Sequence, residues 1–271
     1  MMPWLLSGLG LVILLLAGDA LVRGAVNLSL RLGVPALIVS LTIVAFGTSA
    51  PELLISISAI LDDAPGFALG NVVGSNTANI LLVLGIPAML SRLHTSECET
   101  RKTYILMIAS SVLFIALAFT GTLTATSGAI LLAALAYVLF DAFRDARNHV
   151  KAGEAVEFDL EEVEGADSDM PRWRIAMFLV LGLIGLPLGA DLLVDNATII
   201  AKTYGVSDTV IGLTLVAIGT SLPELATTVM AAIRRQADVA LGNVIGSNMF
   251  NLLAIIGLTT MVGPIPVDPS F

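Results

Sequence analysis

Two glutamates lie near the middle of long apolar stretches, where an ionised side chain without a partner costs several kcal/mol. Glu52 ends the run VAFGTSAPE, and Glu224 ends the run VAIGTSLPE. No Lys or Arg lies at a comparable depth in any apolar stretch, which disfavours the alternative of a structural salt bridge. Two carboxylates without a cation from the protein favour a mobile cation, and their hard oxygen atoms suit Ca²⁺ or Na⁺.

Neutral oxygen donors accompany both glutamates in the same order. Two hydroxyl side chains precede each glutamate, and a serine and an asparagine spaced i, i+4 follow it. The donors are Thr48, Ser49, Ser75 and Asn79 in the first set, and Thr220, Ser221, Ser247 and Asn251 in the second. An i, i+4 pair projects from one helix face toward a common point, which suits a shared ion site. The alternative is that these Ser and Asn side chains join neighbouring membrane helices by hydrogen bonds.

A proline precedes each glutamate and interrupts the apolar stretch. Pro51 and Pro223 lack a backbone donor, so we expect broken helices with free carbonyl oxygens about a turn earlier. The carbonyls expected to face a cation are those near Ala45, Phe46, Ala217 and Ile218. Broken backbone at membrane depth is tolerated where it lines a cavity, although a kink that only shapes packing is the alternative.

The elements that position these residues are predicted to be membrane-spanning helices. The chain is 56% hydrophobic and 13% charged, more apolar than a soluble core of its size can bury. Eight apolar stretches reach the length of roughly 20 residues that crosses a bilayer. They run approximately over 4–22, 34–61, 67–90, 103–120, 123–143, 175–201, 206–233 and 239–263. The net charge of −9 offers nothing to a nucleic-acid backbone, so we expect a lipid bilayer and no nucleic acid as partner.

The motifs form an internal repeat with a constant offset of 172 residues. The run GNVVGSNTAN recurs as GNVIGSNMFN at the same offset as the glutamate runs, and Asp19 and Asp191 keep it too. Five apolar stretches precede the second copy, and an odd number of crossings inverts it relative to the first. Alternate connections hold twelve of the thirteen Lys and Arg residues, which predicts that these connections are cytoplasmic and the N-terminus external.

The repeat also predicts the domain organisation. We expect a first repeat over 1–145, an acidic cytoplasmic linker over 146–172 and a second repeat over 173–271. The second repeat holds three apolar stretches against five in the first, so we expect a fragment without two C-terminal helices, with natural shortening as the less favoured alternative. The acidic spacing in the linker does not match an EF-hand loop, which favours a solvated connection. Asp19 lies four residues before Arg23, which predicts an interfacial ion pair instead of an ion ligand.

The motifs GTSxPE and GNxxGSNxxN, each present twice, resemble the alpha repeats of the calcium/cation antiporter superfamily, whose best-known members are sodium/calcium exchangers. The resemblance implies an all-α polytopic membrane protein, an inverted repeat of five-helix units with eight of an expected ten transmembrane helices present. It implies ion sites at mid-membrane, with Glu52 and Glu224 as ligands, the eight neutral side chains given above, and the carbonyls of Ala45 and Ala217. Some family members carry Asp where this chain has Asn79 or Asn251, which leaves ion preference and stoichiometry open.

Together these features predict a secondary antiporter, not an enzyme, that exchanges Ca²⁺ for Na⁺ by alternating access in the inner (plasma) membrane. No cofactor is expected. The first and sixth helices lack broken motifs and are expected to slide across a fixed site. A proton-coupled antiporter is a close alternative, because a desolvated carboxylate can also bind a proton. A passive cation channel is a further alternative, and a non-transporting scaffold would leave both carboxylates unexplained.

Overall fold

The computed structural model describes residues 2–90, 100–152, 166, 167, 169–207, 215 and 217–268. The helices in these ranges are α1 (Met2–Leu32), α2 (Ala36–Thr48), α3 (Ala50–Leu61), α4 (Pro65–Leu90), α5 (Arg101–Ala118), α6 (Ala125–Ala152), α7 (Arg172–Thr203), α8 (Ala217–Gly219), α9 (Leu222–Ile233) and α10 (Ala237–Val262). Two short strands, β1 (Thr122–Leu123) and β2 (Ile265–Pro266), pair antiparallel. Most of the predicted acidic linker lies outside the described residues.

The all-α polytopic architecture is confirmed. Among the residues that the structure describes, six helices are long and apolar enough to cross a membrane, namely α1, α4, α5, α6, α7 and α10, and the bent pair α2–α3 gives a seventh span. These seven spans correspond to seven of the eight predicted apolar stretches. The remaining stretch, 206–233, lies partly outside the described residues, and α9 is its longest described helix.

In both repeats the helix breaks at a serine that lies two residues before the proline. Ser49, with φ −85° and ψ 3°, separates α2 from α3, and the two helices meet at a bend of 42°. Ser221, with φ −90° and ψ 2°, precedes α9. Proline cannot continue a helix but fits its first turn, so Pro51 and Pro223 lie in the first turns of α3 and α9. The predicted breaks are therefore present in both repeats.

Three of the described helices contain π-helical segments. They lie at Ser40–Val44 in α2, Asn79–Leu84 in α4 and Asn251–Ile255 in α10. A π-segment adds a residue to the turn and occurs often at functional sites. The segments in α4 and α10 begin at equivalent asparagines, both of which are predicted ligands.

Helices α1 and α7 pack against each other along most of their length. A Cβ added to Gly10 would lie 2.7 Å from the backbone nitrogen of Leu193, and one added to Gly189 would lie 2.9 Å from that of Leu14. Such close approach of two backbones is possible only where side chains are absent, as in other small-residue contacts between membrane helices. The two helices therefore form a closely fitted pair beside the broken helices.

Helix α10 lies in the centre of the molecule. In its apolar window 94% of the residues are buried, against 28% in the equivalent helix α4. Side chains of α5 and α6, including Met107, Phe114 and Leu131, belong to the same core cluster as Met249 and Leu253 of α10. Lys102 Nζ joins α5 to α6 by ion pairs of 2.6 Å with Asp141 and Asp145.

Candidate cation-binding site

The two glutamates lie on α3 and α9, one residue after the proline of each break. Each side chain is only 1% exposed. Ser49 Oγ, at the break of the first repeat, donates a hydrogen bond of 3.2 Å to Oε1 of Glu224 in the second. Ser49 lies three residues before Glu52, so this bond places the Glu224 carboxylate beside the first turn of α3, which carries Glu52. The two repeats thus meet at a buried pair of carboxylates.

The backbone around the break of the first repeat differs from the expectation of free carbonyls. The Ala45 carbonyl accepts hydrogen bonds from the Ser49 N–H at 3.1 Å and from Thr48 Oγ1 at 3.3 Å. In the second repeat the Ile218 carbonyl accepts from the Ser221 N–H at 3.0 Å. The physical reason is that proline removes the bond to the carbonyl four residues earlier, which for Pro51 is Gly47, while the turn at serine closes over the neighbouring carbonyls.

The predicted asparagine ligands are buried and partly engaged. Asn79 Nδ2 donates to Asn248 Oδ1 over 3.2 Å, and Asn251 Nδ2 donates to Asn76 Oδ1 over 3.0 Å. Each of these bonds joins α4 to α10. Because the amide nitrogens are engaged, the Oδ1 atoms of Asn79 and Asn251 are left to face another group.

Six side-chain oxygens of the predicted ligands are buried and lack a hydrogen-bond partner among the residues that the structure describes. They are Glu52 Oε2, Glu224 Oε2, Asn79 Oδ1, Asn251 Oδ1, Ser221 Oγ and Ser247 Oγ. Buried polar atoms are nearly always satisfied, because an unpaired one costs about 1–3 kcal/mol. A set dominated by acceptors, with two carboxylates in it, has the chemistry that a bound cation would satisfy.

The other predicted ligands lie on the same helices or beside the same breaks. Thr48 and Ser75 are buried, and Thr48 Oγ1 lies 3.3 Å from Asn243 Oδ1. Thr220 is half-buried next to Ser221. Ala217 begins the short helix α8 that precedes the break. The donors are carboxylates, hydroxyls, carboxamides and backbone carbonyls, a set that suits Ca²⁺ or Na⁺ better than a transition metal.

Two further asparagines support the glutamates and were not singled out from the sequence. Asn71 Nδ2 donates to the Glu52 carbonyl at 3.2 Å and to Ser56 Oγ at 3.0 Å. In the second repeat Asn243 Nδ2 donates to the Glu224 carbonyl at 3.3 Å and to Thr228 Oγ1 at 3.0 Å. These bonds tie α4 to α3 and α10 to α9 next to each carboxylate. Both asparagines directly follow the first glycine of the repeated GN motif, which is the signal that could have identified them.

A cleft of about 150 Å³ leads toward the site between α3, α7 and the start of α9. Its lining includes Pro51 and Ile55 of α3, and Asp191 and Asp195 of α7. Thr220 and Pro223, which flank Ser221, line the same cleft. The cleft therefore reaches the break of the second repeat from the surface that carries two exposed carboxylates.

The similarity of this chain to known proteins covers the residues of the candidate site. The family model described as sodium/calcium exchanger protein matches residues 2–144 and 174–271, which include both glutamates and both asparagine motifs. The chain belongs to the sodium/calcium exchanger family. The members of this family are transporters, so this chain is a cation antiporter of the calcium/cation type. Its apolar helices are those of a protein that spans the membrane several times.

Two curated relatives and one solved structure cover nearly the whole chain. A putative antiporter, CaxA of Alkalimonas amylolytica, is 37% identical over 96% of this chain and 81% of its own length. The sodium/calcium exchanger MaX1 of Methanosarcina acetivorans is 37% identical over 96% of this chain and 83% of its own. The structure of the sodium/calcium exchanger from Methanococcus jannaschii matches with a TM-score of 0.82 at 30% identity, covering 98% of this chain and 83% of that one. The inverted repeat found in the motifs is consistent with the fold of this exchanger family.

Proposed function

We propose that this exchanger-family protein carries Ca²⁺ in exchange for Na⁺ and holds both ions at the two buried glutamates. The observation that carries the proposal is the set of six unsatisfied buried ligand oxygens contributed by both repeats. In the described part of the chain no ion pair joins Glu52 or Glu224 to a Lys or Arg. The proposed ligands are Glu52, Glu224, Thr48, Ser49, Ser75, Asn79, Thr220, Ser221, Ser247 and Asn251, with the carbonyl of Ala217. The Ala45 carbonyl, which already accepts two hydrogen bonds, is left out of this set.

The charge of the site supports exchange of a divalent for monovalent ions. Two ionised carboxylates neutralise one Ca²⁺, so the loaded site loses much of the cost of desolvating charge. Several Na⁺ ions replacing one Ca²⁺ would use the same carboxylates and the surrounding neutral oxygens. If three Na⁺ replace one Ca²⁺, each cycle moves net charge and responds to membrane potential.

Alternating access at a fixed site is the proposed mechanism. The closely fitted pair α1–α7 contains no break, whereas the broken helices α2–α3 and α8–α9, together with α4 and α10, hold the ligands. Movement of the pair relative to the ligand helices would close the cleft on one side of the site and open a path on the other. The placement of Lys and Arg supports an external N-terminus in the plasma membrane.

The test is uptake of radioactive Ca²⁺ into proteoliposomes loaded with Na⁺ and diluted into Na⁺-free buffer. We expect uptake that requires internal Na⁺ and falls to the level of empty liposomes in both Glu52→Gln and Glu224→Gln, because each variant removes one charge and one ligand. Asp63→Asn, in the exposed turn after α3, is the matched control and should retain uptake. Wild-type activity in both glutamate variants would refute the site.

A proton-coupled antiporter is the second candidate, since buried carboxylates can exchange a cation for protons. Uptake that ignores Na⁺ and collapses with a protonophore would replace Na⁺ by H⁺ as the counter-ion. Ca²⁺ flux that needs no counter-ion gradient would indicate a passive channel instead.

A further inference from the structure

Four asparagines of the inverted helices α4 and α10 form a hydrogen-bonded group, here called the carboxamide quartet: Asn76, Asn79, Asn248 and Asn251. Asn79 donates to the side chain of Asn248, and Asn251 donates to the side chain of Asn76. The offset of 172 residues relates Asn76 to Asn248 and Asn79 to Asn251. The two bonds are therefore equivalent under the repeat, and each joins one proposed ligand to one asparagine that has no assigned role.

The orientation of Asn76 is fixed by a group that can only accept a hydrogen bond. Asn76 Nδ2 donates to the backbone carbonyl of Asn248 over 3.2 Å. Reversing the Asn76 carboxamide would place its Oδ1 against that carbonyl oxygen, and neither atom can donate. Asn76 therefore presents Oδ1 toward position 251 and requires a donor there.

A carboxamide at position 251 supplies this donor, and an ionised carboxylate does not. With its Nδ2 directed at Asn76, Asn251 turns Oδ1 away, and this atom has no donor among the described residues. An ionised Asp at position 251 would set an oxygen against Asn76 Oδ1, which leaves two buried acceptors in contact.

The equivalent position in the first repeat is less constrained. Asn248 Nδ2 lies 3.8 Å from Met107 Sδ, and a thioether sulfur is a weak acceptor. The Asn248 carboxamide can reverse at small cost and then offer Nδ2 to position 79. A carboxylate at position 79 would thus find a donor that a carboxylate at position 251 lacks.

We propose that Asn76 and Asn248 are positioning residues that turn the oxygens of Asn251 and Asn79 toward the transported cation, and that Asn76 selects a neutral ligand at position 251. The proposal rests on the function proposed above. It accounts for the asparagine at position 251. A neutral side chain there adds no charge, so Glu52 and Glu224 supply the formal charges of the proposed site.

The test compares Asn251→Asp with Asn79→Asp, since both add the same charge at equivalent places. We expect the half-saturating Ca²⁺ concentration of N251D to exceed that of N79D about tenfold, the equivalent of one lost buried hydrogen bond. Adding Asn76→Ala to N251D removes the opposing acceptor and should lower the value again. In the wild-type background N76A should raise half-saturating Ca²⁺ while leaving the maximal rate within about twofold, a split expected when a bound ligand loses its orientation.

Equal values for N251D and N79D, or no recovery in N76A/N251D, would overturn the role of Asn76. Thermal unfolding of the same variants in Ca²⁺-free and Na⁺-free detergent separates this outcome from failure of the proposed function. If the wild type takes up no Ca²⁺, the exchange proposal fails, yet N251D should still melt below N79D and recover with N76A. Identical melting temperatures for N251D and N79D would refute the hydrogen-bond argument itself.

Discussion

Two helix contacts occupy equivalent positions in the inverted repeats: α1 packs against α9, and α7 lies beside α3. The two contacts differ in packing. Gly18 of α1 faces α9 so closely that an added Cβ would lie 3.0 Å from the carbonyl oxygen of Ala226. Ala190, the equivalent of Gly18, instead lines the cleft between α7 and α3 together with Ile55. One interface is closed and its counterpart is open in the same molecule.

The charges at the two interfaces differ in the same sense. Asp19 of α1 forms an ion pair with Arg23 at 3.0 Å and a second ion pair with Arg234 at the end of α9, so the predicted pairing of Asp19 with Arg23 is confirmed. The residues equivalent to Asp19, Arg23 and Arg234 are, in that order, Asp191, Asp195 and Asp62. Three carboxylates cannot replace a carboxylate between two arginines. The closed interface is thus held by opposite charges, whereas like charges surround the open one.

Because the two interfaces differ, a chain with a pseudo-two-fold site favours one of its two possible states. If the cycle exchanges the packing of the two interfaces, the α1–α9 contact must open when the α7–α3 cleft closes. The ion pairs at Asp19 then favour the state seen here, and a bound cation has to offset their loss. Ile55 lines the α7–α3 cleft, and its equivalent Thr227 is buried in α9 next to Ala226, which contacts Gly18 of α1. Labelling of positions 55 and 227 therefore compares the two interfaces.

The strongest change is predicted for cysteine reactivity, which should differ between Ile55→Cys and Thr227→Cys. Both variants are made in a Cys98→Ser background, because Cys98 is the chain's one cysteine. Ile55 lines the cleft, whereas Thr227 is fully buried in α9. We expect a soluble maleimide to modify I55C about 100-fold faster in detergent, as for a local opening that costs about 3 kcal/mol.

Denatured protein provides the control for this measurement, since both cysteines should then react at the same rate. Similar rates in the folded protein would contradict the closed and open assignment of the two interfaces.

A smaller effect is expected from Arg234→Gln, which removes the ion pair between α1 and α9. The side chains of Arg234 and Asp19 are 11% and 20% exposed, so their attraction is only partly screened by water. We expect T227C to react about tenfold faster in this variant, the equivalent of about 1.4 kcal/mol. Labelling of I55C should slow as the population with an open cleft declines.

Arg235→Gln is the matched control, because Arg235 is exposed and adjacent to Arg234. The exchanged pair Asp19→Arg with Arg234→Asp should return the labelling of T227C toward the parent rate. If R234Q and R235Q label alike, the ion pair does not hold the interface.

The repeat motifs allowed much of this arrangement to be predicted from the sequence. Glu52 and Glu224 share a motif and an offset, so their meeting at a pseudo-two-fold centre follows from inverted duplication. Pro51 and Pro223 likewise determine where the helices break, since proline acts through its own backbone.

Other features depend on three-dimensional contacts that periodicity does not encode. The hydrogen bonds from Asn71 and Asn243 to the glutamate carbonyls join helices whose relative rotation is set by packing. The Ala45 carbonyl is occupied because the turn at Ser49 directs an N–H back at it, a geometry that the presence of Pro51 alone does not specify. The closed and open interfaces are also built from the same repeated sequence pattern. They differ because one repeat has Ala190 and Asp62 where the other has Gly18 and Arg234.

The smallest effect is expected from exchanging the small residues, Gly18→Ala against Ala190→Gly. An added methyl group at Gly18 meets the Ala226 carbonyl at a distance that requires only a slight shift of the helices. We therefore expect T227C to label about threefold faster in G18A, the equivalent of less than 1 kcal/mol. A190G removes a methyl group that faces the cleft and should leave labelling of T227C unchanged. Alanine also raises the intrinsic stability of α1, but it does so in both states, so the labelling ratio of T227C to I55C reports the interface alone. An unchanged ratio in G18A would show that the closed interface tolerates the methyl group, and that Asp19 and its two arginines account for the difference between the interfaces.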